Sequence, residues 1–82
     1  MRVARTNHFL RSYHKAPTGI QRAFDKQVVL LVENLHHPSL HAKKYDEARD
    51  LWQARVTRDW RFYFKIVDDT YRLEDIKKHP KK

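Results

Sequence analysis

Residues 51–65 read LWQARVTRDWRFYFK, with arginines alternating against large apolar residues at a period of two. In a strand, successive side chains point to opposite faces. Gln53, Arg55 and Thr57 then share one face, and Trp52, Ala54 and Val56 the other. Beyond a tight Arg58-Asp59 connection, Arg61, Tyr63 and Lys65 share a face while Phe62, Phe64 and Ile66 take the opposite one. A sheet built from these two strands, Leu51–Thr57 and Trp60–Val67, has one greasy face that needs a covering layer. Its other face is cationic, dotted with aromatics and open, which suits a polyanion.

Upstream of this pair lies the covering layer. Ile20, Phe24, Val28, Leu31 and Leu35 recur at spacings of four, four, three and four residues, the signature of a long amphipathic helix with one buried stripe. Thr18 and Gln21 form a capping-box pattern at its start. Pro38 is expected to stop it, with His36 and His37 near the negative end of its dipole. A shorter helix carrying Phe9, Leu10 and Tyr13 precedes it, capped by Thr6 or Asn7 and ended by Pro17. Arg2 to Thr6 reads as a first strand. Downstream, residues 39–50 read as a polar loop with a short edge strand around Lys43 to Tyr45, and Asp68-Asp69-Thr70 is a turn without the usual glycine. Tyr71 to Ile76 is the last strand, followed by the basic tail Lys77-Lys78-His79-Pro80-Lys81-Lys82. Leu73 and Ile76 have opposite parity, so this strand must carry a bulge or end early. The element order β-α-α-β-β-β-β, helices first and then an antiparallel meander, is an α+β domain.

The 82 residues suffice for one core, hence a single domain over 1–82. Eighteen Lys plus Arg against 10 Asp plus Glu leave a formal net charge of +8, which points to nucleic acid, an acidic protein or an anionic membrane as partner. The membrane is disfavoured, because no apolar run approaches the roughly 20 residues of a spanning helix and the first residues lead into no signal-like segment. The chain has no cysteine, which removes disulfides and thiolate zinc sites and makes a reducing cytoplasm the simplest location. With 40% apolar and 12% aromatic residues, it is too hydrophobic for a disordered tail-like segment.

The segment HPSLHAKK (residues 37–44) followed by LWQARVTRDWRFYF resembles the RelE/ParE superfamily of toxins from toxin–antitoxin pairs. In that pattern a Pro-containing segment and a basic patch follow the long helix. A strand of the form W-x-x-R-hydrophobic comes next, then a strand that opens on an aromatic-Arg pair. Trp52, Arg55, Val56, Thr57, Arg61 and Tyr63 match it, at a spacing similar to the YoeB branch, and the resemblance covers essentially the whole chain. It implies two N-terminal helices packed on one face of a twisted antiparallel sheet, with RNA on the concave other face. It also implies a ribosome-dependent mRNA endonuclease silenced by a cognate antitoxin, acidic and encoded next to it. The ParE branch instead inhibits gyrase and lacks the catalytic set, so a binding-only function is the alternative.

Metal-free RNA cleavage needs help in deprotonating the 2′-OH, cations for the phosphorane charge and an acid for the leaving 5′-oxygen. Arg61 suits the electrostatic role through its bidentate fork, with Arg55 on the neighbouring strand as its helper. Either could instead simply pair with acids or solvate the sheet. Histidine is the side chain suited to proton transfer in either direction, so His79 is the natural acid or base, although Pro80 stands where YoeB-like proteins follow their histidine with a tyrosine. Tyr63 offers a ring or a hydroxyl, or packs. The catalytic glutamate of YoeB-like proteins has no counterpart here, since Glu47 lies at a different spacing. The resemblance to RelE-like sites offers Lys44 in its place, and phosphate binding is the safer role for Lys43 and Lys44. Arg58, Trp60, Lys65, Lys77 and Lys78 are further candidates for RNA contacts, Trp60 either stacking a base or packing at a strand end. His36, His37 and His41 lie close in sequence. Pro38 breaks any helix through them and no carboxylate sits at a ligand spacing, so neither a metal nor another cofactor is expected.

Overall fold

The computed structural model describes residues 1–80, so Lys81 and Lys82 of the basic tail lie outside the described residues. The chain runs β1 (Arg2–Arg5), α1 (Asn7–Lys15), α2 (Thr18–Glu33), β2 (Lys43–Asp46), β3 (Leu51–Thr57), β4 (Trp60–Val67) and β5 (Thr70–Lys78), with a 3-10 turn over Pro38–Leu40. The five strands form one sheet in the order β1-β5-β4-β3-β2. β2 through β5 are an antiparallel meander. β1 corrects the expectation of a purely antiparallel sheet, because it pairs with β5 in parallel, Val3 opposite Tyr71 and Arg5 opposite Leu73. The chain leaves β1 through both helices and re-enters at the far edge. Three reversals then bring β5 back beside β1 in the same direction.

The alternation in β3 and β4 divides the sheet as the sequence requires, except at Thr57: a register shift after Arg55 sets it opposite Trp60, away from the face of Gln53 and Arg55. Ala54, Val56, Phe62 and Phe64 are buried beneath the helices. Phe24 of α2 meets Phe62 edge-on at 5.1 Å and Phe9 of α1 at 5.2 Å, so one aromatic cluster joins both helices to the sheet. Each such phenylalanine stabilises the fold by about 1.5–3 kcal/mol through burial. Leu73 and Ile76 are both buried too. A bulge makes this possible: Tyr63 pairs with Asp75 but Phe64 with Leu73, leaving Glu74 unpaired.

The helix ends differ from the sequence expectation in two places. Thr6 is the N-cap of α1, its Oγ1 accepting from Phe9 N (3.1 Å) and donating to Leu73 O (3.0 Å), which ties the helix to β5. The Thr18–Gln21 capping box does not form. Gln21 Nε2 instead donates to Tyr13 O and Ala16 O, satisfying carbonyls left open at the end of α1. α2 stops at Glu33, well before Pro38, because Asn34 is extended with φ −162° and its side chain accepts from His36 N. Leu35, His36 and His37 therefore lie beyond the helix, although Leu35 still packs on the core. α2 also holds the sheet directly, since Gln27 Nε2 donates to Arg55 O at 2.9 Å. Among the described residues no helix is long and apolar enough to cross a membrane.

Candidate functional site

The face opposite the helices carries a groove of three adjoining cavities. One, of about 400 Å³, is lined by His41, Lys43, Gln53, Arg55, Arg61 and His79. The next, of about 640 Å³, shares Gln53 and His79 with it and adds Arg58, Asp59, Tyr63 and Lys77. A third, of about 270 Å³, shares Tyr45, Tyr63 and Lys77 with the second and extends to Arg49, Lys65 and Asp75. Strand parity sends Arg55, Arg61, Lys65 and Lys77 to this side, so the groove is cationic for most of its length.

Arg55 and Arg61 are direct cross-strand partners on β3 and β4, an arrangement that costs stability when both carry the same charge. Arg61 Nη1 donates to the carbonyls of Thr57 (2.7 Å), Arg58 (3.0 Å) and Trp60 (3.0 Å). The β3–β4 turn thus holds one edge of its guanidinium. Burial, and then the charge of Arg55, lower its pKa from the ordinary arginine value, but an arginine stays protonated throughout the useful pH range. Arg55 Nε is buried without a hydrogen-bond partner, and so is His79 Nδ1. Orphan buried polar atoms are rare in folded proteins, and these two line the same cavity. His79 is placed by its backbone N–H, which donates to Asp59 O at 2.6 Å.

Three residues read as site candidates lie on the other side of the sheet. Lys44 is in register with Trp52, its ammonium 5.4 Å from the indole centre and ion-paired with Asp50 and Glu47. The hydrogen bond to Asp50 leads the causes that raise its pKa, the opposite of what a lysine base requires. Neighbouring residues of a strand cannot share a face, and Lys43, opposite Gln53, is the one turned to the groove. Trp60 and Lys78 pair across β4 and β5 and line a small cavity beside Ser12 and Lys15 at the end of α1. Tyr63 is on the groove side but only 3% exposed. Its hydroxyl accepts from Gln53 Nε2 at 3.2 Å, and Lys77 Nζ lies 5.1 Å from its ring centre. It is the floor of the groove, with its hydroxyl already engaged. Arg58, Lys65, Lys77 and Lys43 line the groove.

Sequence reasoning missed several groove residues as candidates, Arg49 and Asp59 among them. Gln53 shares parity with Arg55 in the stretch that decides the fold, a usable signal. Tyr45 shares parity with Lys43. His41 had been weighed only for metal; it follows the 3-10 turn with φ 47°, a left-handed conformation uncommon for non-glycine residues, and lines the arginine cavity. Asp75 faces the groove and contacts His8 Nε2 at 3.3 Å; nothing short of the β5 bulge would have placed it.

No family model matches the chain, and no curated protein matches it in sequence. Solved structures do match its fold. A YoeB/ParE toxin from Agrobacterium tumefaciens superposes with a TM-score of 0.81 at 10% identity, over 98% of this chain and 100% of that one. YafQ from E. coli strain BL21(DE3) gives 0.78 at 19% identity, over 95% and 93%. A chain of the archaeal RelE–RelB complex from Pyrococcus horikoshii OT3 gives 0.76 at 20% identity, over 99% and 97%. The fold is therefore the RelE-like α+β fold, two helices against a five-stranded mixed sheet.

Proposed function

We propose that this RelE-like chain is the toxin of a type II toxin–antitoxin pair and arrests translation by cutting mRNA on the ribosome as a metal-independent endoribonuclease. The observation that carries the reading is the arginine cavity. Two cross-strand guanidiniums, Lys43 and two imidazoles line one hollow, and two buried nitrogens of its lining residues, the donor Arg55 Nε and the ring nitrogen His79 Nδ1, lack partners. Phosphate oxygens are the acceptors that such a set suits best.

In the reaction, the 2′-oxygen attacks phosphorus as its proton passes to a base. The bond to the 5′-oxygen breaks as that oxygen takes a proton from an acid, leaving a 2′,3′-cyclic phosphate and a 5′-hydroxyl. Arg61 and Arg55 neutralise the extra phosphorane charge. Lys44 is turned away and no carboxylate lines this cavity, so the proton carriers are the imidazoles. His41 precedes β2, beside β3, and His79 follows β5, beside β4. They thus come from opposite sides of the strand pair carrying Arg55 and Arg61, as in-line attack and departure require.

The +8 charge supports an acidic antitoxin as protein partner, in line with the RelB complex among the structural neighbours. Action on ribosomes places the protein in the cytoplasm. A second reading, binding without cleavage as in a gyrase inhibitor or a degenerate toxin, draws on the missing carboxylate and on Pro80 in place of a tyrosine. Primer extension on translated mRNA, with wild type, Arg61→Ala and His79→Ala at matched folded concentration, separates the two. Site-specific cleavage lost in both variants is the expected result. An intact message together with inhibited gyrase supercoiling selects the second reading.

A further inference from the structure

We infer that Tyr45 is a stacking platform for an unpaired nucleobase, which makes single-stranded RNA the ligand class of this groove; the inference rests on reading this face as the RNA site. β2 pairs Lys44 with Trp52 and Asp46 with Leu51, so Tyr45 between them has no partner and forms a bulge. Bulges re-aim a side chain and recur beside functional sites. Here the bulged ring meets Tyr63 in a T-shaped contact, centroids 5.1 Å apart and planes at 69°.

A single T-shaped contact occupies at most one face of a ring, and Tyr45 is 53% exposed. The buried Tyr63 beneath it already has a cation and a hydrogen bond, so the upper ring is the one still available. Tyr45 also stands where the second and third cavities meet, lining both. Cations lie along that path: Arg58 and Lys77 on one side, Arg49 and Lys65 on the other. A basic track with an uncovered aromatic set into it is how proteins hold single strands: the cations follow the phosphates and the ring takes a base face. Bases inside a duplex offer no free face, so double-stranded RNA gains nothing from this residue.

The test is equilibrium binding of a labelled single-stranded oligoribonucleotide to the full chain, with one abasic nucleotide moved along the sequence. Tyr45→Ala should weaken binding by about 5- to 100-fold, the span seen when a stacking aromatic is truncated. Tyr45→Trp and Tyr45→Phe should keep wild-type affinity, and their retention separates stacking from any loss of folding in the alanine variant. One abasic position should penalise wild type by a similar factor and leave Tyr45→Ala unaffected. Affinity for a duplex of the same length should be equal in wild type and Tyr45→Ala. If Tyr45→Ala binds single strands as wild type does, the inference is overturned while the groove stands. If wild type binds no RNA and Arg55→Met changes nothing, the RNA reading of the groove falls with it.

Discussion

Arg55 and Arg61 face each other across β3 and β4, two guanidinium groups in direct cross-strand register at the mouth of one cavity. They are held differently: turn carbonyls accept from Arg61 Nη1, whereas at Arg55 the Gln27 side chain donates to the main-chain carbonyl and the guanidinium Nε has no partner. Like charges in this register repel, and an anion between them would relieve that repulsion.

Replacing Arg55, whose buried Nε has no hydrogen-bond partner, should therefore stabilise the free protein. Arg55→Met removes a like-charge pair and an orphan buried donor and keeps most of the volume. We expect a gain of about 1 kcal/mol, read in a thermal melt as a rise of about 4–8 °C for a domain of this size. Inorganic phosphate should raise the melting temperature of wild type but barely that of the variant. A lower melting temperature in Arg55→Met would show that the arginine stem packs more favourably than its charge repels.

Arg61 carries a structural and a chemical role that substitutions can separate. Arg61→Ala frees three turn carbonyls to water and should cost about 1 kcal/mol in urea unfolding. Cleavage of ribosome-bound mRNA should fall by on the order of a hundredfold or more. Arg61→Lys restores the charge without the fork, and should recover stability more fully than activity. Wild-type cleavage by Arg61→Ala would reject this active site.

The two faces of β2 predict different salt behaviour. Lys43→Ala, on the groove, should reduce the slope of log affinity against log salt by about one unit. Lys44→Ala, on the helix side, should leave that slope unchanged. Equal effects in binding titrations across a salt series would mean that RNA reaches beyond the groove.

Stability should decline at alkaline pH. Burial first, then the hydrogen bond to Asp25, raises the pKa of Tyr13, and burial raises that of Tyr71. The bond to Asp50 raises that of Lys44. Each group binds its proton more tightly folded than unfolded, so its contribution is complete below the unfolded values, about 10 for Tyr and 10.4 for Lys, and is lost as pH rises through the folded ones. Tyr71→Phe should flatten this limb in denaturant melts taken across that range. Tyr13→Phe should flatten it as well, while losing the donor to Asp25 at neutral pH.

Strand parity was legible from residues 51–65 alone. Whichever partner a strand finds, its side chains alternate, so Phe62 and Phe64 had to oppose Arg61, Tyr63 and Lys65, while Leu73 with Ile76 called for a bulge or an early end, and the structure has the bulge, at Glu74. Charge and the absence of cysteine are likewise properties of the chain before it folds. The parallel pairing of β1, the burial of Gln53 and Tyr63 under Tyr45, the outward turn of Lys44 and the entry of His41 into the arginine cavity were decided only by tertiary structure. These depend on register between distant segments and on what comes to cover a face. Alternation says which side a residue is on; only packing says whether that side is open.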